Sequence, residues 1–154
     1  MTYRAERSEG DRSAPAPQRA AEMREIADRI TRWATGRPDI VGLLLVGSHA
    51  RNAARADSDV DIVLLTTDRS RYVEDTWADG LALGELVRTR AWGPISERRY
   101  ALASGLEVEV NIGSSEWART DPVDPGTRRV VTDGARPLHD PAGLLNALIR
   151  ARRS

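Results

Sequence analysis

The run Ile40-Val-Gly-Leu-Leu-Leu-Val46 limits the fold more than any other feature of this chain. It has the length of a strand, and no polar residue interrupts it. A strand with one wet face alternates apolar and polar side chains. A run without alternation fits a strand covered on both faces, within a sheet that has helices packed on it. Two later segments fit the same sheet. In Asp59–Leu65, Val60, Ile62 and Leu64 share one face and Asp59, Asp61 and Val63 the other. In Leu106–Ile112, Leu106, Val108, Val110 and Ile112 face one way, and Glu107, Glu109 and Asn111 the other. Ile95–Leu102 reads as a further strand, while Leu81–Arg90 stays undecided between helix and strand.

The helices follow from spacing. Residues 18 to 35 carry Ala21, Ile26, Ile30 and Trp33 near one face, and Gly36-Arg37-Pro38 ends the helix. Pro141–Arg153 repeats the pattern through Leu144, Leu145, Leu148 and Ile149. Ser48–Ala54 is Ala-rich and reads as a short helix. Arg71–Asp79 reads as a helix capped by Ser70. Asp121–Thr127 reads as loop and Arg128–Thr132 as a short strand. At 154 residues the chain is expected to form one domain over 18–154, preceded by a disordered polar arm over 1–17.

Composition removes several chemistries. Without cysteine there are no disulfides, thiolate metal sites or cysteine nucleophiles, and without lysine no Schiff base and no P-loop lysine. The 23 basic and 23 acidic side chains cancel, so bulk charge gives no reason to expect nucleic acid or a membrane surface as partner. No secretory leader or membrane span is evident, and a cytoplasmic protein is expected.

The segment with chemistry is Gly47-Ser48-His49-Ala50-Arg51, followed by Ser58-Asp59-Val60-Asp61. Where a strand ends in Gly-Ser and turns into a helix start, unpaired N–H groups and the helix dipole favour an anion. Asp59 and Asp61, two apart on a strand, project from one face. Two hard oxygen anions beside an anion pocket call for a cation, and Mg²⁺ bridging to nucleotide phosphates meets that need. A third carboxylate is offered by Glu107 or Glu109. Singly, Gly-Ser and Asp-x-Asp are ordinary turn and loop features; framed by two apolar strands, they point together to a site. His49 and His139 have no evident base partner. Trp77, Trp92 and Trp117 are expected in the core, with the lining of a nucleotide or acceptor pocket as the alternative. Asp75, Asp79 and Glu85 read as a solvated surface, with attraction of a polycationic acceptor as the sharper alternative.

These residues resemble the signature of the DNA polymerase beta-like nucleotidyltransferases, and are most similar to its minimal and aminoglycoside-modifying bacterial members. The resemblance covers residues 20–112. It implies a mixed sheet flanked by helices, an α/β (α+β) fold, and transfer of a nucleoside monophosphate, AMP from ATP, to an acceptor hydroxyl with two Mg²⁺. It places catalytic metal carboxylates on Asp59, Asp61 and Glu109, with Glu107 as the alternative third and Glu in place of the more usual Asp. It places nucleotide contacts on Gly47, Ser48, Arg51 and Ser58. The implied acceptor is a small molecule such as an aminoglycoside-like compound. A HEPN-type toxin adenylylated by its antitoxin and a non-catalytic binding module are the alternatives. Only residues 113–154 follow the third carboxylate, and a monomer or homodimer is expected in which the residues after Asp121 border the cleft.

Overall fold

A computed structural model of the chain describes residues 13–51 and 53–152. Most of the expected arm, residues 1–12, lies outside the described residues. Six strands form one mixed sheet: β1 (Ile40–Val46), β2 (Val60–Thr66), β3 (Glu85–Trp92), β4 (Ile95–Ala101), β5 (Glu107–Ser114) and β6 (Ala135–His139). Their order is β3-β4-β5-β2-β1-β6. The central pair β2 and β5 is parallel, and every other neighbouring pair is antiparallel. The α/β reading with a mixed sheet and flanking helices is what the chain forms.

Each face of the sheet buries a core. On one, α1 (Pro17–Thr35) lays Met23, Ile26, Ala27, Ile30 and Ala34 onto the sheet. This stripe meets Leu43, Leu45, Ile62, Leu64, Val108 and Val110, with Tyr72, Trp77 and Leu81 beside it. On the other, α2 (Pro125–Asp133) and α3 (Leu144–Ala151) bring Val131, Leu145 and Leu148 against Leu44, Val46, Val63 and Leu65. The uninterrupted apolar character of β1 is thus matched by cover on both sides.

Four segments differ from the sequence reading. Residues 48–51 form a turn, not a helix, and Ala53 N–H donates to Ser48 O at 2.8 Å. The expected helix over 71–79 is split into two 3₁₀ segments, Arg69–Tyr72 and Asp75–Leu81. Arg98 explains the split, because its Nη2 donates to the carbonyls of Tyr72 and Val73 at 2.9 and 2.6 Å, which a continuous helix would use itself. Arg128–Thr132 is not a strand but the body of α2. Pro125 stands in its first turn, and Asp124 Oδ2 accepts from the N–H groups of Gly126 and Thr127. Capping outweighs the β-branched Val130-Val131 pair. The C-terminal helix begins at Leu144, where Asp140 accepts from the N–H groups of Leu145 and Asn146.

The stripe on α3 packs on this chain's own sheet: Leu145 and Leu148 are fully buried. Leu148→Ala is expected to cost about 2–5 kcal/mol. The denaturation midpoint should fall with an unchanged m-value.

Candidate active site

One rung of the sheet carries the site. Val46 pairs with Asp61, Asp61 with Glu109, and Glu109 with Arg99. Residues paired across neighbouring strands project from the same face, so Asp61, Glu109 and Arg99 stand in a row. Asp59 precedes β2 by one residue, and Glu107 opens β5. The parallel register of β2 and β5 is therefore what sets the two acidic segments side by side.

The carboxylates converge on a guanidinium. Arg99 Nη1 donates to Asp59 Oδ2 at 2.7 Å and to Glu107 Oε1 at 2.8 Å, and its Nη2 donates to Glu109 Oε1 at 2.8 Å. Asn111 Nδ2 donates to the other Glu109 oxygen at 3.2 Å. Burial works against the Arg99 charge, but the hydrogen bonds it donates to Asp59 and Glu107 hold its proton more firmly than usual. Sequence reasoning missed Arg99. Its signal was the Arg98-Arg99 pair in a segment read as strand, where alternation sends the two side chains to opposite faces.

Asp61 is treated differently. Arg99 makes no hydrogen bond to it, and its Oδ1 is buried without a hydrogen-bond partner. Burial, then the charges of Glu109 and Asp59, push its pKa up to about 7, against the opposing pull of Arg99. Among the described residues no three carboxylate or histidine side chains are gathered as the ligands of one ion. The donor chemistry nevertheless suits a hard divalent cation, because the set is all oxygen and one oxygen lacks a partner.

The turn after β1 abuts this row. Gly47 has φ +80°, and a Cβ there would lie 3.3 Å from Asp61 Oδ2. Its N–H, expected to face a phosphate, donates instead to Gly134 O at 3.2 Å. Ser48 Oγ donates to Ser58 Oγ at 3.0 Å, and Ser58 Oγ also accepts from Arg55 N–H at 2.8 Å, which ties the two ends of the 48–58 loop together. Arg51 Nη1 donates to the carbonyl and carboxylate of Asp133 at 2.9 and 3.3 Å. His49 Nδ1 is buried without a partner, and burial with nearby Arg136 and Arg24 lowers its pKa.

A cavity of about 380 Å³ opens beside the row. Asp61, Glu97, Glu109 and Asp133 supply its charge, and Trp92, Trp117 and Val130 part of its apolar wall. The residues after Asp121 do border it, through α2. Of the three tryptophans, Trp77 is in the core, whereas Trp92 is 53% exposed, held by its Nε1–H donating to Glu97. Trp92 is a correction, because it terminates an edge strand that no layer covers. Asp75 accepts from the Tyr100 hydroxyl and lines no part of this cavity.

Residues 21–88 match the family model described as streptomycin adenylyltransferase. That stretch contains Gly47, Ser48, Asp59 and Asp61, so the resemblance read from these residues is met by an independent comparison. It ends before β4 and β5, leaving Arg99, Glu107 and Glu109 outside it. Among solved structures, the polymerase core of TRAMP, an RNA surveillance complex, is similar with a TM-score of 0.43 and 17% identity. That similarity covers 64% of this chain and 32% of the other, so the chain spans about a third of its length. No curated protein matches the sequence. Among the described residues no helix is long and apolar enough to cross a membrane.

The raised Asp61 pKa has a sign that stability can read. The protonated form is favoured by folding, so that contribution is complete below the unfolded carboxylate range and is lost as pH rises through about 7. Asp61→Asn should therefore melt several degrees above the unsubstituted protein at pH of about 8, with the gap closing towards pH of about 4. Equal melting temperatures at the alkaline end would contradict the burial argument.

Proposed function

We propose that this chain is a nucleotidyltransferase that moves a nucleoside monophosphate, AMP from ATP, onto the hydroxyl of a small cationic acceptor. The observation that carries this reading is the rung of Asp61 and Glu109, joined to Asp59 through Arg99 and set against the Gly47 turn. It combines a negatively charged cluster, the Gly47-Ser48 turn and an adjoining cavity within one short stretch of sheet. The match over residues 21–88 supports the same reaction class.

In this reading Asp59, Asp61 and Glu109 would hold two Mg²⁺. Bound there, the ions supply stabilisation of the attacking and leaving oxygens at the α-phosphorus. Everything else falls to the chain. The Ser48 hydroxyl, backed by Ser58, and the backbone of the 48–51 turn hold the β- and γ-phosphates. Arg51 sits at the edge of that turn and adds positive charge from its place on Asp133. Glu109 accepts the proton of the acceptor hydroxyl as it attacks, and pyrophosphate leaves. Catalysis is positioning and charge, with no covalent enzyme intermediate. Glu109 fits the third position better than Glu107. It pairs directly with Asp61 in register, and its side chain is 18% exposed against 41% for Glu107.

The acidic floor and tryptophan walls of the cavity suit an acceptor with cationic groups on a compact ring skeleton. Streptomycin, for which the matched family is named, is of this kind. A cytoplasmic location, where ATP and Mg²⁺ are abundant, goes with the reading.

The test is transfer itself, followed by mass spectrometry with each nucleoside triphosphate, Mg²⁺ and a panel of acceptors. The expected product is an acceptor heavier by one nucleoside monophosphate. Asp59→Asn and Asp61→Asn should each lower the rate by at least about 100-fold, and Glu109→Gln should do the same. Glu107→Gln should cost about tenfold or less. A larger loss at Glu107 than at Glu109 would move the third carboxylate to the other position.

A further inference from the structure

Arg99 carries the inference, which rests on the metal-dependent reading above. We propose that Arg99 is the resident counter-cation of this cluster, and that a divalent ion enters by exchanging with it at Asp59 and Glu109 while Glu107 retains the guanidinium. Three carboxylates share this one group at 2.7–2.8 Å, and its side chain is 18% exposed. It is the only described cation with hydrogen bonds to Asp59 and Glu109. Without it, four acidic side chains would stand together around the end of β2 with only Arg88 beside them, its Nη2 3.7 Å from Glu109 and held mainly by Glu97 at 2.7 Å. Arg99 thus does for the ion-free protein what an ion does for the loaded one.

The four carboxylates are not equivalent in this arrangement. Asp61 receives no hydrogen bond from Arg99, and its buried Oδ1 has no partner, so it is the place where an arriving ion finds an unengaged oxygen. Asp59 and Glu109 flank it, and each meets the guanidinium through one oxygen, with the other Glu109 oxygen accepting from Asn111, so each can turn from guanidinium to ion. Glu107 begins β5 two residues from Glu109 and is the most exposed of the three Arg99 partners. It stays bonded to Nη1 when the other two leave. This gives Glu107 a defined part as a positioning residue: it keeps the displaced guanidinium beside the cluster. Arg88 stands next to Arg99 in register and is fastened to Glu97 at 2.7 Å, so Glu97 does not take up the released group.

Binding of Mn²⁺ alone to the full chain tests the exchange, by calorimetry at neutral pH and by the melting temperature with and without the ion. Arg99→Gln should lower the melting temperature of the ion-free protein and raise Mn²⁺ affinity about tenfold, because the competitor has gone. A merely structural arginine would move both in the unfavourable direction. Glu107→Gln should weaken Mn²⁺ binding, because the released guanidinium loses its resting partner. Where Arg99→Gln fails to fold, the unsubstituted protein answers: the Arg99 side-chain 15Nε–1Hε resonance should shift as Mg²⁺ is added. Mn²⁺ binding to the unsubstituted protein with equal or weaker binding to Arg99→Gln overturns the exchange and leaves the metal-dependent reading standing. An unmoved Arg99 resonance at saturating Mg²⁺ does the same. Absence of Mn²⁺ binding from both proteins overturns both.

Discussion

The parallel pairing of β2 with β5 is the constraint on which the other features rest. Both strands are covered on the face that meets α1, and β2 is buried on both. Register there cannot slip by one residue without moving Ile62, Leu64, Val108 and Val110 out of the core. The same register that keeps these apolar side chains inside sets Asp61 beside Glu109 on the opposite face. Core packing and the placement of like charges are thus enforced by a single alignment.

That alignment has an electrostatic cost. Two carboxylates on adjacent strands repel, and the partly covered setting strengthens the repulsion. The chain answers it unevenly. Arg99 sets one positive charge among Asp59, Glu107 and Glu109, while burial and the neighbouring acids push the Asp61 pKa up to about 7. An arrangement tuned for folding alone would have replaced one of these acids with an apolar residue. The retained conflict is the kind of local inconsistency that accompanies a working site.

Much of this was legible in the sequence because burial and alternation leave plain marks. The bounds of β1 were readable to the residue, since both its ends are marked by polar or glycine neighbours. The acidic face of β5 was readable from period-two alternation, and Asp59 and Asp61 from their spacing. What escaped was set by contacts distant in sequence. The break in the 69–81 helix comes from Arg98, and α2 was hidden because Val130 and Val131 favour strand while the decisive cap lies at Asp124. β6 contains Pro137 and borders only β1, so it carried neither the length nor the alternation of an inner strand. Arg99 was invisible for a related reason. Its partners lie on two other segments, and nothing local distinguishes it from Arg98, which faces the other core.

The tie between Gly47 and Gly134 reaches beyond local geometry. Gly47 N–H binds the carbonyl of Gly134, and Arg51 binds both oxygen types of Asp133. A Cβ on Gly134 would come within 2.9 Å of Gly47 O, so the two chain segments are in close contact. The end of α2 is also a wall of the cavity. The turn after β1 and that wall are therefore joined by a backbone hydrogen bond and by the Arg51–Asp133 contact. Were the proposed nucleotide and acceptor to sit on the two sides of this joint, whatever coupling it transmits would alter both affinities by the same factor.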